Sequence, residues 1–181
     1  CDTNGLRIFD IADPANPVAA GSFPVVDRAY AVAAQGKYAY VASWTDGTYI
    51  LDVSDLGLIA QKARIPTTQY ARDVVVSGNR LYISEMDAGV RVYDIGDPVT
   101  PAFLGGYVSA ALPIYGISVS GSTIWAIQNN QRVLALDAAD PADIALIAQH
   151  DCAGGCSAVL PFGNLVYIAS GQFLEVLNIE P

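Results

Sequence analysis

Histidine occurs once, methionine once and lysine twice in this chain of 181 residues, and 9 basic residues face 18 acidic ones. At a formal charge of −9 there is no basic stripe to neutralise phosphates, so sequence-independent nucleic-acid affinity has no source. Anionic membrane surfaces are poor partners on the same ground. Apolar runs break within about ten residues, short of the roughly 18 that a bilayer span needs, so no membrane insertion is expected. Motifs of catalysis are missing too. His150 restricts any Ser-His-Asp triad to a single ring, and Asp151 beside it is too local to orient that ring. There is no G-x-S-x-G elbow, no phosphate loop, no H-E-x-x-H and no D-x-[DN]-x-[DN]-G calcium loop. No cofactor is therefore expected. What remains is an apolar chain, 52% hydrophobic and 15% charged, able to bury one sizeable core.

Self-similarity organises that chain. Leu6-Arg7-Ile8-Phe9-Asp10 recurs as Thr48 to Asp52, Val90 to Asp94, Val133 to Asp137 and, more loosely, Leu174 to Asn178, in steps of 42, 42, 43 and 41 residues. A second column holds Tyr40, Tyr82, Trp125 and Tyr167, and a third holds Gly36, Gly78, Gly121 and Gly163 just ahead of it. Each period divides into four short runs rich in Val, Ile, Tyr and Ala, with no helical spacing sustained over ten residues. In the second unit the runs are Ala29 to Ala34, Lys37 to Ser43, Thr48 to Val53 and Leu58 to Ile65. The glycine column suits tight hairpins that need a positive φ. The aspartates at 10, 52, 94 and 137 suit turn caps rather than paired general acids. A four-stranded antiparallel unit repeated every forty-odd residues predicts an all-β fold, a β-propeller of four-stranded blades. Strands apolar on both faces, such as Val133-Leu134-Ala135-Leu136, want a covering sheet on each side.

Aliphatics ending in Asp and followed by Asp-Pro-x-x-Pro, best seen at Leu6 to Pro17 and Val90 to Pro101, resemble the LVIVD repeat of bacterial and archaeal surface or secreted β-propellers. The resemblance runs from Gly5 to Pro181. It implies a propeller fold and an extracytoplasmic address, whether secreted, periplasmic or at the cell surface, and it carries over no catalytic residues.

With strands labelled first to fourth outward from the axis, the chain opens on a third strand, runs through three whole blades and ends on a third strand. That arrangement reads as one partial propeller domain over residues 1–181, with repeat units at about 2–43, 44–85, 86–128 and 129–171 and residues 172–181 as a final strand. About four blades in an open arc or a fragment of a larger propeller are expected; a distorted four-blade ring with a spare edge strand is the alternative. An uncovered blade face exposes on the order of several hundred Å² of apolar surface, worth several kcal/mol at about 25 cal/mol per Å². The expected partners therefore include missing blades, or a second copy bound through the exposed terminal faces.

Cys152 and Cys156, separated by Ala153-Gly154-Gly155, are expected to form a disulfide, with a His150/Cys152/Cys156 metal site or two inert thiols as the alternatives. Cys1 reads either as a lipidated lipoprotein cysteine or, the favoured reading, as a fragment boundary. In propellers one rim gathers the loops from fourth to first strands and from second to third strands. Mapped onto the repeat, that rim collects Arg28, Tyr30, Trp44, Asp46, Tyr70, Arg72, Asp73, Glu85, Asp87, Tyr115, Asn129, Asn130 and His150, with Tyr30, Arg72, Tyr115 and Ser157 as equivalent positions on the four first strands. Tyr, Trp and Arg dominate interface energetics, which points to protein or glycan binding. The competing function is a hydrolase-type or lyase-type enzyme whose channel site draws on blades beyond this chain.

Overall fold

The computed structural model describes residues 5–109 and 112–179. Cys1, and with it the lipidation question, lies outside the described residues. Seventeen strands and no helix occur among them. An opening pair, β1 (Leu6–Asp10) and β2 (Val18–Phe23), precedes three complete sheets. Blade 1 is β3 (Ala29–Gln35), β4 (Tyr38–Ser43), β5 (Gly47–Asp52) and β6 (Ala60–Ile65). Blade 2 is β7 (Asp73–Ser77), β8 (Arg80–Ser84), β9 (Val90–Asp94) and β10 (Ala102–Tyr107). Blade 3 is β11 (Ile114–Ser120), β12 (Thr123–Gln128), β13 (Arg132–Asp137) and β14 (Ala145–Asp151). Blade 4 has three strands, β15 (Cys156–Phe162), β16 (Leu165–Ser170) and β17 (Phe173–Asn178). Every pairing is antiparallel and sequential, and the first strands β3, β7, β11 and β15 lie side by side in that order.

The strand runs expected in the second unit are present, with four ends shifted by one residue and the start of the last run by two. Leu58 belongs to a turn, its amide donating to the Asp55 carbonyl at 3.1 Å, so β6 begins at Ala60. The aspartates that end third strands are turn caps. The Oδ1 atoms of Asp10, Asp52, Asp94 and Asp137 accept from the amides of Ala12, Ser54, Gly96 and Ala139 at 2.7–3.1 Å. Asp13, Asp55, Asp97 and Asp140 repeat the device one turn later. Gly36, Gly78, Gly121 and Gly163 all take φ near +60°, between +58° and +61°.

Core residues sit at the seams between sheets. Leu6 and Val25 of the opening unit pack on Val41, Tyr49 and Leu51 of blade 1. Tyr40 and Ile50 of blade 1 meet Val74, Leu81, Ile83 and Tyr93 of blade 2. Tyr82, Val90 and Val92 of blade 2 meet Ile117, Ile124, Leu134 and Leu136 of blade 3, and Trp125, Val133 and Ala135 of blade 3 meet Val159, Val166 and Ile168 of blade 4. The Tyr40, Tyr82 and Trp125 column therefore packs each blade onto the next one. Sheets are not joined into a closed ring: β1 pairs only with β2, and β17 only with β16.

Two irregularities recur in register. Fourth strands bulge against third strands, with Ala20, Lys62, Leu104 and Ile147 as the extra residues opposite Ile8/Phe9, Ile50/Leu51, Val92/Tyr93 and Ala135/Leu136. First strands bulge near their start, where Ala29/Ala31, Ile114/Gly116 and Cys156/Ala158 each span one extra residue. The extra residues are Tyr30, Tyr115 and Ser157.

Candidate functional site

A bulge leaves one residue outside the ladder and re-aims its side chain. At the start of three first strands that residue is Tyr30, Tyr115 or Ser157; in blade 2 the equivalent is Arg72, just ahead of β7, whose amide donates to the Ser84 carbonyl at 2.9 Å. All four converge on one pocket of about 330 Å³ at the axis, together with Asp73 and Asn130.

From this pocket an aromatic column runs outward along the rim. The Arg72 guanidinium lies 4.3 Å from the centre of the Tyr30 ring, Tyr30 leans on Trp44 at 4.9 Å, and Trp44 stacks on Tyr70 at 4.4 Å with 17° between ring planes. Trp44 occupies φ +28°, and the repeat-equivalent Met86, Asn129 and Gly171 are also at positive φ, between +43° and +55°. Every second-to-third hairpin thus demands a left-handed residue at one place. Glycine and asparagine meet that demand cheaply, whereas a bulky residue there costs on the order of 1 to 3 kcal/mol. The tryptophan is held by its ring contacts and by a bridge to Ala71, whose amide donates to the Trp44 carbonyl at 2.9 Å.

Asp73 lies at the floor of the same pocket. Its Oδ2 accepts from the Ile117 amide of blade 3 and its Oδ1 from the Val74 amide, each at 2.8 Å. Burial pushes its carboxyl above the ordinary range, against the pull of those two amides and of Arg72. It ties two first strands together at the axis.

Other expected rim residues have different surroundings. Arg28 and Asp87 are exposed on rim loops. Asn129 is half-buried at its hairpin, with Nδ2 3.5 Å from Gln131 Oε1. Asp46 is committed to structure, accepting from the Tyr49 hydroxyl and from Arg64 Nη1 at 2.7 Å. Glu85 is buried, taking the Thr68 amide and hydroxyl at 3.1 and 2.9 Å, with Arg91 at 3.6 Å. His150 stands apart from the axis: its Nε2 is 2.6 Å from Glu175 Oε2 on β17, which joins the outer strand of blade 3 to blade 4. The nearby Ser170 hydroxyl, then the hydrogen bonds from His150 and the Ala153 amide, hold the Glu175 carboxyl down at about 2.

In this structure Cys152 and Cys156 are free thiols. Cys156 is buried in the seam between blades 3 and 4, and Cys152 packs against the same cluster. Their amides are pinned to two successive carbonyls of the β12–β13 turn, Gln131 at 2.8 Å and Asn130 at 2.7 Å. Burial pushes both thiols up, Cys152 to about 12 with help from its hydrogen bond to Cys156. They fill space as small hydrophobes. Among the described residues no group of three His, Cys, Asp or Glu side chains is arranged to hold a metal.

Glu175 and the bulges escaped the sequence reading. Glu175 occupies the repeat position held by Arg7, Tyr49, Arg91 and Leu134, where polar and apolar residues mix, so only its nearness to His150 in space marks it. A bulge changes register by one residue without changing the apolar pattern enough to be read.

No curated protein matches the chain. Among solved structures, the computationally designed Ika8 protein aligns with a TM-score of 0.78 at 12% identity, over 98% of this chain and 53% of that one. The computationally designed Ika4 protein aligns at 0.72 and 12% identity, over 86% of this chain and 94% of that one. BamB from Moraxella catarrhalis aligns at 0.65 and 16% identity, over 90% of this chain and 50% of that one. The chain thus spans about half the length of Ika8 and of BamB, and at these identities the likeness concerns fold alone. LVIVD repeats match residues 1–25, 28–67 and 69–109, more than half of the sequence. With the repeat in the sequence and four stacked propeller-type sheets in the structure, this chain belongs to the LVIVD-repeat family.

Proposed function

We propose that this chain is an extracytoplasmic repeat scaffold that holds a protein or a glycan against one propeller rim. The observation that carries this reading is the continuous column Tyr70, Trp44, Tyr30 and Arg72, which ends in the axial pocket beside Tyr115. Rings already packed against one another present edges and an outer face at little entropic cost, as at binding hot spots. A bulky residue kept at positive φ in that column also favours contact over stability as the reason for its presence. The extracytoplasmic address rests on the family resemblance.

The test is a series of Trp44→Ala, Tyr115→Ala and Arg72→Glu in the full chain, each confirmed folded by circular dichroism. Wild type and variants are assayed for retention of ligands from a defined glycan array and a panel of purified surface proteins. Binding that falls at least about tenfold in all three variants supports the rim, a loss of roughly 1.4 kcal/mol. Variants that retain full binding, or a wild type that turns over a substrate on a hydrolase and lyase panel, overturn it.

A further inference from the structure

Among the half-buried arginines, pairing singles out one residue. Arg132 donates to Asp151 at 2.6 Å, Arg64 to Asp46 at 2.7 Å and Arg80 to the Ala138 carbonyl at 2.9 Å, while Arg91 lies 3.6 Å from Glu85. Arg72 is half-buried like Arg80, Arg91 and Arg132. Among the described residues, however, neither a carboxylate nor a carbonyl accepts from its guanidinium, and its neighbour Asp73 gives both oxygens to backbone amides. The guanidinium carbon lies over the Tyr30 ring, 4.3 Å from its centre, and Arg72 lines the axial pocket. A guanidinium is a planar fork of N–H donors that matches the two oxygens of a carboxylate.

We propose that the axial pocket is a carboxylate site and that its ligand class is a uronic-acid unit, a sugar ring bearing one carboxylate. The proposal rests on the rim-binding reading and narrows it. A volume of about 330 Å³ holds a single ring. Beyond Arg72, and beyond Asp73, whose two oxygens are taken by the Val74 and Ile117 amides, the lining residues are Tyr30, Tyr115, Ser157 and Asn130, whose neutral hydrogen-bonding groups suit ring hydroxyls. Charge limits the ligand further. In a chain of net charge −9, a polyanion meets one favourable guanidinium and long-range repulsion from the remainder, whereas a lone carboxylate on an otherwise neutral glycan meets mainly the guanidinium. The exposed face of Tyr70 lies at the outer end of the column, where a neighbouring neutral sugar can stack.

The experiment titrates the full chain with D-glucuronate and, separately, with D-glucose, followed by calorimetry and by amide chemical shifts in nitrogen-15 NMR. Glucuronate should bind at least about tenfold more tightly than glucose, with shifts centred on Arg72, Tyr115 and Ser157. Arg72→Gln should abolish the preference, bringing glucuronate binding down to that of glucose. Arg72→Lys, which keeps the charge and loses the fork, should recover only part of it, and Asp143→Ala in the exposed turn between β13 and β14 should change nothing. Equal binding of the two sugars, a preference that survives Arg72→Gln, or no glucuronate response at all would overturn the assignment. A peptide C-terminus that binds at Arg72 while glucuronate stays silent would overturn the sugar class. Neutral glycans lost on Trp44→Ala but indifferent to Arg72→Gln would sink this inference and leave the rim reading intact. Glucuronate lost on Arg72→Gln, with Trp44→Ala harmless, would do the reverse.

Discussion

Two glycine columns make opposite demands at the scale of the residue. Gly36 sits at φ +59° in a hairpin with nothing near the place a Cβ would occupy. Gly36→Ala should therefore cost only the left-handed backbone penalty, about 1 kcal/mol in urea denaturation. Gly47 is at φ +87°, and a Cβ there would run into the Ile65 carbonyl oxygen of the adjacent fourth strand; Gly5 and Gly89 repeat that contact with Phe23 and Tyr107. Gly47→Ala should cost at least about 3 kcal/mol or prevent folding. Equal effects of the two substitutions would contradict the assigned geometry. The first column was legible because a lone glycine between two apolar runs is a turn signal. The second was not, because its cause is a carbonyl on a strand nearly twenty residues away.

Strands and turns carry the pH dependence. Glu175 is held at about 2 against an ordinary value of 4.5, and Asp52 is held at about 2 by the Ser54 hydroxyl and amide and then by Lys37. Both are lowered, so the stability they lend is complete above about pH 4.5 and is lost as the pH falls toward 2. The urea midpoint should drop over that interval, and Glu175→Gln should flatten part of the drop; an unchanged profile in that variant would remove the His150–Glu175 link from the fold. The buried thiols give a second check on the same seam. Iodoacetamide at pH 8 should leave Cys152 and Cys156 unmodified in folded protein and label both in urea, as read by peptide mass. Rapid labelling of the folded protein would contradict the packing of blade 4 on blade 3. Turn caps at Asp10, Asp52, Asp94 and Asp137 were readable from sequence because an Asx turn is local. At Cys152 and Cys156, by contrast, spacing alone does not tell a bridge from two thiols turned into a hydrophobic seam.

For the whole molecule, the repeat made the number and order of strands readable, since each sheet is built from neighbours in sequence. The convergence of Tyr30, Arg72, Tyr115 and Ser157 was half legible: their equivalence follows from the period, whereas their aim follows from bulges that the period hides. Face-to-face stacking has a sharp consequence at blade 4. Leu174 and Val176 are 67% and 48% exposed, while the equivalent Val133 and Ala135 of blade 3 are 1% and 5% exposed beneath blade 4. The same positions are therefore oily seams inside the stack and an oily surface at its end. Sedimentation velocity of the 181-residue chain should show association that grows with protein concentration and disappears in a Leu174→Lys, Val176→Lys double variant that melts like the parent. A parent chain that stays a single monomeric species at every concentration, indistinguishable from the lysine variant, would refute the stacking of blades about a common axis.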